Sequence, residues 1–330
     1  MTSAGEGTVA LHVSNLSVSF RIPGGVLPAV DGVSFELRHG ETLGLVGESG
    51  SGKTLTSLAV LRLLETPPAQ VTADVIMFEG RDLHRIGESE MSDLRGARLS
   101  MVFQEPMTSL NPLMTIGRQI DEPLIRHLGL SGAAARAQTV ELLDRVGIPR
   151  PAEAARSYPH QLSGGMRQRV MIAIALACRP SVLIADEPTT ALDVTIQAQI
   201  LTLLRELQDE MGTAILLITH DLAVIAQTAD RVAVMYAGRI VETGPVAELF
   251  ARPLHPYTEG LLRSVPRIVR TPLATLPEIP GVVPAPGNLP DGCAFAARCD
   301  FADPTCHQQR PILAAQGPDR EVACWHPRHG

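Results

Sequence analysis

The clearest chemistry in the chain lies in Gly47-Glu48-Ser49-Gly50-Ser51-Gly52-Lys53-Thr54, which fits the pattern G-x-x-x-x-G-K-[ST] at every fixed position. Backbone N–H groups of such a loop and the N-terminus of the helix after it converge on one point. Unsatisfied donors and the positive end of the helix dipole favour an anion there. In that geometry Lys53 reaches the β- and γ-phosphates of a nucleotide and the Thr54 hydroxyl ligates Mg²⁺. The bland alternative is a glycine-rich turn that happens to carry a lysine.

Three further groupings carry chemistry. Asp186-Glu187 directly follows the apolar run Val182-Leu183-Ile184-Ala185. Carboxylates at the C-terminal end of a buried parallel strand lie at the ligand crevice, so Asp186 is expected to hold Mg²⁺ and Glu187 to polarise an attacking water. Ser163-Gly164-Gly165, opening an apolar helical run, forms a second set of anion-binding donors. Last, Cys293, Cys299, Cys306 and Cys324 are spaced C-x5-C-x6-C-x17-C.

The elements that must position these residues can be read from periodicity. Thr42 to Val46 is a strand-length apolar run before the glycine loop, and Leu55 to Leu64 after it has helical spacing, which argues against the bland alternative. Upstream, Val9 to Val13, Leu16 to Phe20 and Val33 to Leu37 alternate as an antiparallel β lead-in. Phe20 is the aromatic best placed to stack on an adenine ring, with a simple core role as the alternative. Met101 to Pro106 reads as an apolar strand ending in a polar side chain before a proline stop, with Gln104 where strand meets loop, and Met107 to Pro159 turns helical, splitting the α/β core. Gln197 to Met211 reads as an amphipathic crossover helix, and Ala214 to Ile218 as a buried strand delivering His220 to the same edge as the acids. Arg231 to Glu242 reads as a hairpin turning at Ala237-Gly238.

Composition narrows the class. With 330 residues two domains are expected, and the net charge of −7 offers no basic field for nucleic acid. No apolar run approaches the ~18 residues that span a bilayer. Met1 to Thr8 lacks the basic and apolar regions of a secretion signal, so a cytoplasmic setting with reduced cysteines is expected.

In this order the residues resemble the ATP-binding cassette of ABC transporters over Val9 to Phe250. Gly47 to Thr54 is the phosphate loop, Gln104 the Q-loop, Leu162-Ser163-Gly164-Gly165-Met166 the signature, Asp186-Glu187 the acidic pair, Ala191-Leu192-Asp193 the D-loop and His220 the switch histidine. Met166 departs from the glutamine usual after the two glycines; the serine and glycines carry the phosphate contacts. The resemblance implies a P-loop NTPase fold of the ABC cassette type: α/β, with the antiparallel β lead-in, a helical subdomain at about 105–160 and a Pro/Cys-rich C-terminal extension. It further implies ATP and Mg²⁺ as ligands, with Gln104 also a Mg²⁺ ligand and Ser163, Gly164, Gly165 and Asp193 among the nucleotide-binding residues. The signature of one cassette completes the phosphate-loop site of a second, so the working unit is a head-to-tail pair.

Beyond Phe250, His255-Pro256-Tyr257-Thr258-Glu259-Gly260-Leu261-Leu262 and the cysteines resemble the C-terminal extension of oligopeptide/dipeptide importer ATPases, a group that also includes nickel and glutathione importers. The domains expected are therefore 1–250 and 251–330. The implied partners are a second cassette, a paralogue rather than a copy; two transmembrane permeases; and, indirectly, an extracytoplasmic solute-binding protein, at the cytoplasmic face of the membrane.

The extension, with Pro272, Pro277, Pro280, Pro284, Pro286 and Pro290, cannot build a sizeable apolar core, and a metal centre would cross-link it. Cysteine spacing wider than zinc knuckles favours a [4Fe-4S] cluster over Zn²⁺, with free thiols or disulfides also open. His307 and His326 keep a mixed Cys/His zinc site in play. Two other classes compete with an importer: a soluble ABC ATPase acting on nucleic acid or ribosomes, and a redox sensor that uses ATP for regulation. Acidic charge, a single cassette and the lack of a long coiled-coil insertion argue against the first of these.

Overall fold

The computed structural model describes residues 8–190, 192–265 and 278–328. Met1 to Gly7, Ala191 of the D-loop, and Pro272 and Pro277 of the proline-rich stretch lie outside them. The strands, in chain order, are β1 (Val9–Ile22), β2 (Gly25–Arg38), β3 (Thr42–Val46), β4 (Ala69–Thr72), β5 (Val75–Phe78), β6 (Arg81–Asp82) and β7 (Leu99–Val102). They continue with β8 (Val182–Asp186), β9 (Ala214–Thr219), β10 (Arg231–Tyr236), β11 (Arg239–Pro245), β12 (Ala314–Ala315) and β13 (Glu321–Val322).

The chain divides into two compact units, one built on Leu37–Glu41 and Arg85–Leu216 with N-terminal residues up to Leu11, the other on His12–Glu36, Thr42–His84 and Leu217–Gly330. In the first, β7 and β8 pair in parallel, with Leu99 opposite Val182 and Val102 opposite Ala185. Every residue of β8 is buried, which accounts for the apolar run from Val182 to Ala185 that precedes Asp186. Helices occupy much of the rest. Ile116–Leu128 and Gly132–Arg145 are tied by buried Asp121, whose carboxylate accepts from Arg136 Nε at 3.0 Å and Arg136 Nη2 at 2.6 Å. Gly164–Leu176 and Val194–Met211 complete the set used below.

In the second unit, β3 is buried throughout and lies parallel to β10. β10 and β11 form the expected hairpin, with Tyr236 opposite Arg239 and both Ala237 (φ 46°) and Gly238 (φ 83°) left-handed, as a type I′ turn requires. The lead-in strands form a second sheet in the order β2-β1-β5-β6, with β4 also paired to β1. β1 is one strand of 14 residues where alternation suggested two, because Ser14 and Asn15, polar in sequence, keep the ladder going; Asn15 does so at φ 53°. The C-terminal extension joins the same unit: β13 pairs antiparallel with β11, placing Val322 opposite Glu242.

Candidate functional site

In the second unit the chain leaves β3 at Val46 and enters the glycine loop. A Cβ on Gly47 would sit 2.1 Å from the Met235 carbonyl oxygen, so the close approach of loop to β10 admits only glycine. Gly52, left-handed at φ 103°, starts the helix Lys53–Val60. Lys53 is 6% exposed, and its Nζ donates to the carbonyl oxygens of Gly47 at 2.8 Å and Glu48 at 3.0 Å. The loop is tied down behind by Gly238 N–H donating to Ser51 O at 2.9 Å. Ser49, Gly50 and Thr54 are exposed.

Glu48 behaves differently from its neighbours. Its carbonyl belongs to the loop, but its carboxylate accepts from Arg298 at 2.8 Å and 3.1 Å, and its N–H donates to Tyr257 Oη at 2.9 Å. Phe20 is half-buried in β1 opposite Ala69 of β4. His220 stands exposed just past β9, ahead of a short helix capped by Asp221, whose carboxylate accepts from the Ala223 N–H at 2.8 Å.

In the first unit the parallel register of β7 and β8 brings two predicted residues together. Gln104 Nε2 donates to Glu187 Oε2 at 3.2 Å. Thr190, which sequence reasoning missed, donates its hydroxyl to the same oxygen at 2.7 Å; its place three residues beyond the acid was the available signal. Glu187 holds a left-handed backbone, φ 46°, that turns it off the end of β8, whereas Asp186 closes the strand at 1% exposure.

Ser163 caps the helix Gly164–Leu176, its Oγ accepting from the Met166 N–H at 3.3 Å, and Ser163 and Gly164 are exposed. Asp193 likewise caps the helix that follows it, accepting from the Ile196 N–H at 2.9 Å. That cap starts the helix at Val194, earlier than the apolar spacing from Gln197 suggested.

The extension brings its four cysteines to one place. Cys293, Cys299, Cys306 and Cys324 line a single cavity of about 20 Å³, walled mainly by Phe295, Ala296, Phe301, Ala302 and Trp325. Burial pushes all four thiol pKa values up, that of Cys324 to about 11. Four thiols around one apolar cavity are a donor set that suits a thiolate-held metal centre, which would compensate that burial, but among the described residues no three of their sulfurs lie within 4.8 Å of one another. Asp303, Cys306 and His326 do place one ligand atom each within 4.8 Å of one another; His307 is not in that group. Cys178, by contrast, is buried in the first unit, its thiol pushed up to about 11 by burial and facing the Pro123 carbonyl oxygen at 3.5 Å, a core position.

Comparison with known proteins places this geometry. A family model described as ABC transporter matches residues 30–190, and one described as the C-terminal region of oligopeptide/dipeptide transporters matches residues 241–306. The oligopeptide transport ATP-binding protein OppD of Bacillus subtilis is 51% identical over 97% of this chain and 90% of its own. The dipeptide transport ATP-binding protein DppD of the same organism is 51% identical over 96% of this chain and 94% of its own. Among solved structures, the dimeric post-hydrolysis ATP-binding cassette MJ0796, bound to ADP and Pi, superposes with a TM-score of 0.65 at 27% identity, covering 72% of this chain and 98% of that one.

Proposed function

The chain belongs to the ABC transporter family, in the oligopeptide/dipeptide branch, and from that premise we propose how its residues carry out the work. It is an ATP-hydrolysing subunit that energises peptide import, and transmembrane permeases are its partners. Among the described residues no helix is long and apolar enough to cross a membrane. We place the chain at the cytoplasmic face, docked on the permeases.

In this reading the phosphate loop, with Lys53 and Thr54, cradles MgATP; Asp186 and Gln104 complete the Mg²⁺ shell; Glu187 orients the attacking water; His220 senses the γ-phosphate; and Phe20 stacks on adenine. Phosphoryl transfer needs mainly positioning and charge stabilisation, and these groups supply both. The observation that carries the reading is the contact between Gln104 and Glu187, residues 83 apart in the chain that meet at 3.2 Å beside the buried Asp186. The Ser163-Gly164-Gly165 donors, of which Ser163 and Gly164 are exposed, and Asp193 serve a second cassette, a paralogue, whose signature in turn closes this loop; the dimeric form of the MJ0796 cassette supports such a pair. An extracytoplasmic binding protein delivers the peptide. Residues 1–250 act as the cassette and 251–330 as the extension. Replacing Glu187 by Gln and following phosphate release from MgATP tests the assignment: turnover collapses with binding retained, and wild-type turnover would remove Glu187 from its role.

For the extension we propose a [4Fe-4S] cluster on Cys293, Cys299, Cys306 and Cys324. Bound there, it would cross-link a segment poor in apolar core and offer one-electron redox chemistry. A second reading, Zn²⁺ held in part by Cys306, Asp303 and His326, is supported by the convergence of those three ligand atoms. Anaerobic purification with iron, sulfide and zinc analysis separates them. A brown protein with about four irons per chain supports the cluster; a colourless one with stoichiometric zinc refutes it.

A further inference from the structure

The phosphate loop carries an acidic side chain next to the place where ATP must put its own negative charge. That residue is Glu48. Left unpaired, its carboxylate would repel the triphosphate, and the repulsion would be strong in a site partly shielded from water. The structure resolves the conflict through the extension. Arg298, whose side chain is 4% exposed, meets Glu48 in a two-pronged ion pair with Nη1 to Oε2 at 2.8 Å and Nη2 to Oε1 at 3.1 Å.

Arg298 is itself held in full. Its remaining donors go to Pro280 O at 2.8 Å, Ile279 O at 3.2 Å and Tyr236 Oη at 3.4 Å, so all five guanidinium N–H groups have acceptors. Burial works against its charge, yet the bonds to Glu48 and Tyr236 outweigh it and raise the pKa above the usual arginine range. Tyr257, fully buried, accepts the Glu48 N–H and packs against Tyr236 with ring centroids 4.6 Å apart and against Phe295 at 5.5 Å. Glu48 is thereby fixed at both carboxylate and N–H, while its carbonyl receives Lys53. Tyr236 and Lys53 belong to the cassette, whereas the ties from Tyr257, Arg298 and the Ile279 and Pro280 carbonyls come from beyond it.

We propose that the C-terminal extension braces the phosphate loop: Arg298 and Tyr257 are positioning residues that draw Glu48 off the nucleotide and neutralise it, and so set the affinity for ATP. The inference rests on reading Gly47 to Thr54 as the ATP site, and holds whatever occupies the cysteines. Arg298 adjoins Cys299, so the brace starts at the cysteine cavity and ends at the loop.

Calorimetric titration of the purified full-length chain with Mg²⁺ and a non-hydrolysable ATP analogue tests it, with circular dichroism to check folding. Arg298→Ala is expected to raise Kd by about tenfold or more, since it exposes the triphosphate to an unpaired carboxylate. Adding Glu48→Gln removes that charge and is expected to restore most of the loss, a rescue that a merely structural arginine would not show. Tyr257→Phe keeps the ring and is expected to raise Kd about threefold by freeing the Glu48 N–H. Wild-type affinity in Arg298→Ala, or no recovery in the double variant, would overturn the proposal. Should Arg298→Ala fail to fold, Tyr257→Phe decides alone, and wild-type affinity there overturns it. Lys53→Ala is the control: if it too binds normally, the reading of the loop fails, whereas its loss of binding beside an unaffected Tyr257→Phe condemns the brace only.

Discussion

Glu187 illustrates how one side chain is prepared for its task. Its left-handed backbone lifts it from the end of β8, and a single carboxylate oxygen takes both the Gln104 amide and the Thr190 hydroxyl. Glutamine has nearly the same shape and loses only the basicity. For Glu187→Gln we therefore expect ATP affinity within about twofold of wild type and turnover lower by about 100- to 10,000-fold, the range general base catalysis covers. Phosphate release and equilibrium binding, measured on the same preparation, check the two halves. Residues of this kind were legible in the sequence because their partners are local: the loop motif, the acid pair after an apolar run and the serine before two glycines each fit in a short window. Glu48 was legible only as part of the loop. Its partner lies 250 residues away, and no local pattern marks an arginine beside a cysteine as the counter-ion of a phosphate loop.

At the level of elements, the extension is fastened to the cassette by its strands and, besides the Arg298–Glu48 pair, by a buried ion pair under them. β13 adds to β11, and beneath that pairing Arg320 Nη2 donates to Glu242 Oε1 at 2.9 Å, with Glu242 fully buried and also accepting the N–H groups of Leu254 and His255. Removing one partner leaves the other charge buried. Arg320→Ala should cost about 3 kcal/mol of stability, seen as a lower denaturant midpoint, whereas the same change at exposed Arg150 should cost under about 0.5 kcal/mol. Buried β3, β8 and β9 were readable as apolar runs. The short β4, β5 and β6 and the helix Glu88–Leu94 were not read, since strands of 4, 4 and 2 residues carry too few alternations to show a period. The link from extension to β11 was equally hidden, because a two-residue strand such as β13 gains its identity only from the neighbour it pairs with.

For the molecule as a whole, the reading proposed above makes the phosphate loop and the signature donors two half-sites on one chain, which ATP would join only when a second cassette supplies the missing half. On that proposal, binding would favour the closed pair and hydrolysis would release it, an ordering that would let the ATPase drive permeases through a cycle. The proposed brace on Glu48 would couple the extension to that cycle, since whatever loosens the extension would also lower the occupancy that closes the pair. The central claim is that hydrolysis by this chain energises peptide import. Its most direct test is ATP-dependent uptake of a labelled peptide into proteoliposomes holding this chain, its partner cassette and its permeases, with the binding protein on the opposite face. The account predicts uptake that requires MgATP and is abolished by Glu187→Gln in this chain; peptide accumulation undiminished by that substitution would contradict it.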